Sequence, residues 1–145
     1  MTNTQNSVKL HATCVDIAGR GVMITGKSGA GKSRLAMELV ALGAVLVGDD
    51  QTELSVVDGA LQATAPASIR GLIEARGIGI IEVPVINRTE IKLIVNMDQV
   101  ETERLPNLDV RSILGVQIPV IKRWPDLGFG PSVFLAAKYG LKKDV

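Results

Sequence analysis

The octapeptide GKSGAGKS, residues 26–33, lies between an apolar run, VMIT (22–25), and a run of good helix formers, SRLAMELVAL (33–42). No other feature restricts the fold as much. Glycines at 26, 29 and 31 allow backbone conformations closed to L side chains, so a strand can turn sharply into a helix there. The order Gly26-x-x-x-x-Gly31-Lys32-Ser33 is the complete phosphate-loop pattern, in the strand and helix context that pattern requires. In such a loop the backbone of Gly26, Lys27, Ser28, Gly29, Ala30, Gly31, Lys32 and Ser33 wraps an anion, and the helix dipole adds positive charge at the same point. Lys32 supplies a full charge for β- and γ-phosphates, and Ser33 offers a hydroxyl to Mg²⁺. The base-reading Asn-Lys-x-Asp of GTPases is missing, the nearest stretch being VNMDQ (95–99). GRGVMI and GIGIIE both lack the last glycine of a dinucleotide fingerprint. ATP with Mg²⁺ is the expected ligand pair.

The flanking segments give the fold class. Val8 to Ile17 reads as one strand, and GRG (19–21) as a turn into VMIT. In the helix, Leu35, Leu39 and Leu42 form one stripe, with Gly43 as its C-terminal cap. AVLV (44–47) is a buried strand ending in GDD (48–50), and Asp58-Gly59 between apolar runs signals a hairpin. In SIRGLIEARGIGIIEVP (68–84), Gly71, Gly77 and Gly79 oppose one continuous helix, so the expectation is a turn or short helix, a glycine-rich bend, then the strand IIEV. EIKLIVNM (90–97) is a further strand. PSVFLAAKYGLKK (131–143) is a closing helix, with Pro131 in its first turn and Lys142 and Lys143 at its C-terminal end. Strands outnumber helices, which predicts an α/β domain with mixed, mostly β sheets and few helices. Residues 1–7 read as a disordered leader and 8–145 as a single phosphate-loop kinase domain; residues 106–130 suggest no role.

Of the 145 residues 46% are hydrophobic but only 3% aromatic, so the core must be aliphatic. Sixteen basic against fifteen acidic side chains provide no broad positive surface for nucleic acid. The longest uncharged stretch, Leu39 to Gly48, is too short to span a bilayer, and the N-terminus has no secretion signal, so a cytoplasmic location is expected. Cys14, the single cysteine, reads as a small apolar residue on a strand.

Two further groups join the glycine loop. Asp49 and Asp50 end an apolar strand one helix after Ser33, the place for a Mg²⁺ partner or a base; adjacent strand positions face opposite ways, so one of the two should face the phosphates. His11 is the only histidine, and the short turn after its strand pairs that strand beside the one feeding the loop. An imidazolium there would hold an aspartate carboxylate in position.

Taken together, HATCVDIAGRGVMITGKSGAGKS, then VGDD, then IEARGIGIIEV resemble the catalytic domain of the HPr kinase/phosphorylase family, whose signature matches Glu74 to Ile81. The resemblance covers about residues 8–105 and is looser beyond, although VFLAAKYGLKK is similar to the family's last helix. It implies a fold related to phosphoenolpyruvate carboxykinase, in a short form without the family's N-terminal domain. It implies ATP-dependent phosphorylation of a serine on the phosphocarrier protein HPr, and a hexamer. By position it implies that His11, Lys32, Asp50 and Arg104 are catalytic, with Asp50 taking the serine proton, and that Ser33 and Glu74 bind Mg²⁺. The family's reverse reaction, phosphorolysis of the serine phosphate, goes with a basic Pro-Gly-Arg loop that IPVIKRWPDLGFGPS does not reproduce. A small-molecule kinase or a nucleotide-sensing module without chemistry are the alternatives the loop itself leaves open.

Overall fold

The computed structural model describes residues 7–48, 51–65 and 71–142. In chain order it contains β1 (Ser7–Leu10), β2 (Thr13–Ile17), β3 (Arg20–Thr25), α1 (Lys32–Ala41), β4 (Val45–Gly48), β5 (Thr52–Val57), β6 (Ala60–Thr64), β7 (Leu72–Ala75), β8 (Gly79–Glu82), β9 (Arg88–Val100), β10 (Asp109–Ile113), β11 (Val116–Arg123) and α2 (Phe129–Tyr139). The domain is mixed α/β and mostly sheet, as expected. Nine strands join one sheet along the path β1-β5-β6-β9-β3-β2-β4, with β11 also on β9 and β10 on β11; β7 and β8 form a separate hairpin.

β9 organises the sheet. It pairs with β3 in parallel, Gly21 opposite Ile91 through Thr25 opposite Asn96. β6 pairs antiparallel with its first residues and β11 in parallel with its last. Side chains alternate between two buried layers. Val22, Ile24, Leu93 and Val95 pack with Leu35, Leu39 and Leu46, and with Val133 and Ala137 of α2. Met23, Cys14 and Ile94 face the other way, against Leu54, Leu61, Ile113 and Ile118 from β5, β6, β10 and β11. Each fully buried Ile or Leu here contributes about 1.5–3 kcal/mol, so aliphatic packing adds to the β2 and β9 ladders in anchoring the loop strand.

Several expectations change. The single strand over 8–17 is two strands, broken at His11 and Ala12, because the chain leaves one neighbour for others: β1 pairs with β5, while β2 pairs with β3 and β4. Residues 72–75 are a strand rather than a turn or helix. β7 and β8 pair from Leu72 opposite Glu82 to Ala75 opposite Gly79, across a turn that places Gly77 at φ +84°. Residues 66–70 lie outside the described residues. α2 begins at Phe129 and ends at Tyr139, so Lys138 occupies its last turn and Lys142 lies past Gly140, which closes it; Lys143 is outside the described residues, as are 1–6 of the expected leader. The hairpin turn at Asp58-Gly59 has both residues at positive φ, as a two-residue connection of this kind requires.

Candidate functional site

The edge of the sheet where β3 ends collects the site. β4 is antiparallel to β2, and β2 to β3, so β3 and β4 run the same way and finish on the same edge. β9, parallel to β3, finishes there too. β2 runs the other way, so His11, just before it, lies at this edge as well. Gly48 pairs with Cys14, and the Thr52 hydroxyl donates to the Ala12 carbonyl at 3.1 Å, which holds both flanks of Asp49–Asp50 beside the His11 segment. Asp49 and Asp50 themselves lie outside the described residues.

The glycine loop turns from β3 into α1 using φ of +147° at Gly26, +87° at Gly29 and +102° at Gly31. At Gly26 the cradle is tight: a Cβ would stand 3.0 Å from the Ala30 Cβ and 3.1 Å from the Met97 Cβ. α1 has neither a side-chain cap nor an acidic residue in its first turn. Its first N–H groups therefore stay open to an anion, where another helix would spend them on Ser or Asp. Lys32 is buried, and its Nζ donates to the Gly26 carbonyl at 2.7 Å and the Lys27 carbonyl at 3.2 Å. The ammonium is thus folded back across the loop, with a donor to spare for an incoming oxygen.

His11, Lys32, Ser33 and Glu74 line one cavity of about 890 Å³, together with Ser28, Gly29 and Arg76. Four candidates from three distant parts of the sequence are brought together. Glu74 arrives on β7; the Val83 N–H closes the base of the β7–β8 hairpin by donating to the Gly71 carbonyl at 2.7 Å, and the chain leaving it is held to β4 by the Leu46–Val85 bridge and the Ile86 N–H, which donates to the Leu46 carbonyl at 3.0 Å. Arg104 lies exposed between β9 and β10 and does not line this cavity. The hydroxyl of Ser33 and the carboxylate of Glu74 are hard oxygen donors of the kind Mg²⁺ takes. Among the described residues no three His, Cys, Asp or Glu side chains gather as a metal cage.

Sequence reasoning misses Asp98. Its Oδ1 and Oδ2 accept the Lys27 N–H at 3.0 and 3.2 Å, so a carboxylate at the end of β9 fixes the loop's second residue. A signal for it exists: an acidic residue closing an apolar strand. That rule points to β4, which does not pair with β3, whereas β9 does. Cys14 is fully buried on β2; burial, reinforced by Asp16, pushes its thiol far above the usual range, and it takes no part in the site.

The HPr Serine kinase C-terminal domain family matches residues 2–123. The HPr kinase/phosphorylase of Clostridium novyi is 38% identical over 103 residues, 66% of this chain and 34% of the relative. That of Limosilactobacillus reuteri is 42% identical over 125 residues, 77% of this chain and 39% of the relative. The chain thus spans between a third and two-fifths of the length of these curated relatives. A solved structure of the Hpr(Ser) kinase/phosphatase from Coxiella burnetii superposes with a TM-score of 0.70 at 30% identity, covering 88% of this chain and 86% of that one. No helix among the described residues is long and apolar enough to cross a membrane. The chain belongs to the HPr serine kinase C-terminal domain family.

Proposed function

We propose that this family member transfers the γ-phosphoryl group of ATP to a serine of the phosphocarrier protein HPr. The observation that carries the reading is the single cavity in which His11, Lys32, Ser33 and Glu74 meet at the glycine loop. Phosphoryl transfer needs positioning and charge neutralisation more than covalent help from the protein. The loop N–H groups and the open start of α1 receive the phosphates, and Lys32 exchanges its loop carbonyls for phosphate oxygens. Ser33 and Glu74 hold Mg²⁺, which supplies further neutralising charge when bound. Asp50 orients the serine hydroxyl and takes its proton; His11 steadies that carboxylate. Arg104 adds positive charge from the loop after β9 once the acceptor is docked.

The acceptor is a protein rather than a small molecule. Beside Glu74 the β7–β8 hairpin presents Ile78 and Ile80 at 83% and 65% exposure, an apolar surface fit for a macromolecule. Removal of the serine phosphate by phosphorolysis belongs to the same reading, which the kinase/phosphorylase relatives support. The test is incubation with purified HPr, ATP and Mg²⁺, followed by mass spectrometry for phosphoserine. Wild type modifies HPr, and Asp50→Asn lowers transfer by about 10²–10⁴-fold with ADP binding retained. Failure of wild type to modify HPr, or loss of ADP binding in the variant, contradicts the reading.

A further inference from the structure

The glycine loop has a second side. A smaller cavity of about 410 Å³ shares Gly31 and Arg34 with the one described above but is not lined by His11 or Glu74. Its walls come from α1, the end of β9 and the segment joining β11 to α2: Leu35, Met97, Arg123, Trp124, Asp126 and Phe129. No role above uses this space. We propose that it is the nucleoside subsite, and that the base of the donor nucleotide stacks on Trp124.

Three observations lead there. The first is geometric. A nucleoside triphosphate whose phosphates sit on the loop, with the γ end toward His11 and Glu74, carries its base away from those two residues. The smaller cavity meets the loop at Ala30 and Gly31 without being lined by His11 or Glu74, and its volume falls in the range of small-molecule sites. The second is composition. The chain has four aromatic residues in 145, and two of them, Trp124 and Phe129, line this one cavity. Trp124 is half-buried, and its indole N–H donates to Asp126 Oδ2 at 3.0 Å, which fixes the ring plane. A fixed indole plane is a stacking platform for any base. The third is charge. Arg34 and Arg123 are balanced by Glu38 and Asp126, and Arg34 Nε lies 3.6 Å from Glu38 Oε2. A balanced lining suits the uncharged nucleoside body rather than another phosphate, and its carboxylates accept from ribose hydroxyls or an exocyclic amine.

This inference rests on the phosphate-loop reading of residues 26–33, and one experiment separates the two. Trp124 is the single tryptophan, so its fluorescence reports on this cavity alone. The full chain is titrated with ADP and, separately, with inorganic tripolyphosphate, both with Mg²⁺, and each affinity is measured independently by calorimetry. Both ligands bind; ADP changes Trp124 emission, and tripolyphosphate changes it far less. Trp124→Ala weakens ADP roughly tenfold or more and leaves tripolyphosphate affinity as in wild type, whereas Trp124→Phe recovers most of the ADP affinity. Unchanged tripolyphosphate binding also shows that the variant is folded. ADP binding with silent Trp124 emission, or an Ala variant that loses both ligands equally or neither, overturns the nucleoside assignment and leaves the phosphate loop standing. Binding of neither ligand by wild type overturns both. Tripolyphosphate and ADP binding as described, without modification of HPr, overturns the transfer reading alone.

Discussion

Replacing Gly26 by alanine is the sharpest structural test of the loop, because two separate penalties fall on one methyl group. The first is conformational. Gly26 holds φ at +147°, where an L residue costs about 1–3 kcal/mol. The second is steric: the new Cβ would lie 3.0 Å from the Ala30 Cβ and 3.1 Å from the Met97 Cβ, neither of which is the far end of a flexible chain. Overpacking of this kind costs about 1–3 kcal/mol. Together the loss is about 3 kcal/mol, which lowers Tm by roughly 10 °C in a chain of this size. Gly29→Ala is the control. It has φ of +87° but nothing within 4 Å of a Cβ, so only the conformational term applies, about 1 kcal/mol and roughly 4 °C. Thermal unfolding followed by circular dichroism compares the two. Should Gly26→Ala melt no lower than Gly29→Ala, the cradle is not packed as described and the reasoning fails.

Three other outcomes are expected. Asp98→Ala leaves the Lys27 N–H without its acceptor and lowers kcat/KM for ATP by roughly 5- to 20-fold, the low end for a charge-assisted bond at an exposed carboxylate; Asp98→Asn keeps one oxygen and loses less, and equal losses in steady-state kinetics count against the contact. A Cβ at Gly71 would collide with the Val83 carbonyl oxygen, so Gly71→Ala forces the base of the β7–β8 hairpin apart, lowering both Tm and transfer rate, with the larger effect on transfer because Glu74 moves with the strand. The raised folded-state pKa of Cys14 means its contribution to stability is intact below the unfolded thiol pKa of about 8.5 and is lost above it, by up to about 1.4 kcal/mol per pH unit; urea unfolding from pH 8 to 10 shows this slope in wild type and a shallower one in Cys14→Ala.

What the sequence discloses here is mostly what is local. Gly26 to Ser33 set their own turn, and Leu35 and Leu39 their own helix face, so both read directly from the residues. The Asp58-Gly59 turn is legible for the same reason. Breaks imposed by distant neighbours are not. The 8–17 run divides at His11 because β5 claims one half and β3 with β4 the other. The β7 strand is hidden by Gly71, Gly77 and Gly79, whose local preference opposes regular structure; in the hairpin Gly77 takes the turn and Gly79 pairs with Ala75. β11 is masked by Pro119, which is tolerated because pairing with β9 starts only at Val120. In the site, His11, Lys32, Ser33 and Glu74 follow from the residues and the family resemblance, and they share a cavity. Asp98 escapes such reading because strand order decides which strand-end carboxylate meets the loop, and that order is not written in any single segment.

The central claim is that residues 26–33 cradle a triphosphate with Lys32 and a metal ion. A crystal structure of the chain with a non-hydrolysable ATP analogue and Mg²⁺ tests it most directly. The account predicts β- and γ-phosphate oxygens within hydrogen-bond distance of the loop N–H groups, Lys32 Nζ released from the Gly26 and Lys27 carbonyls to meet them, and the ion between Ser33 and Glu74. A nucleotide bound away from the loop, or a Lys32 still folded onto those carbonyls with the analogue in place, would contradict it.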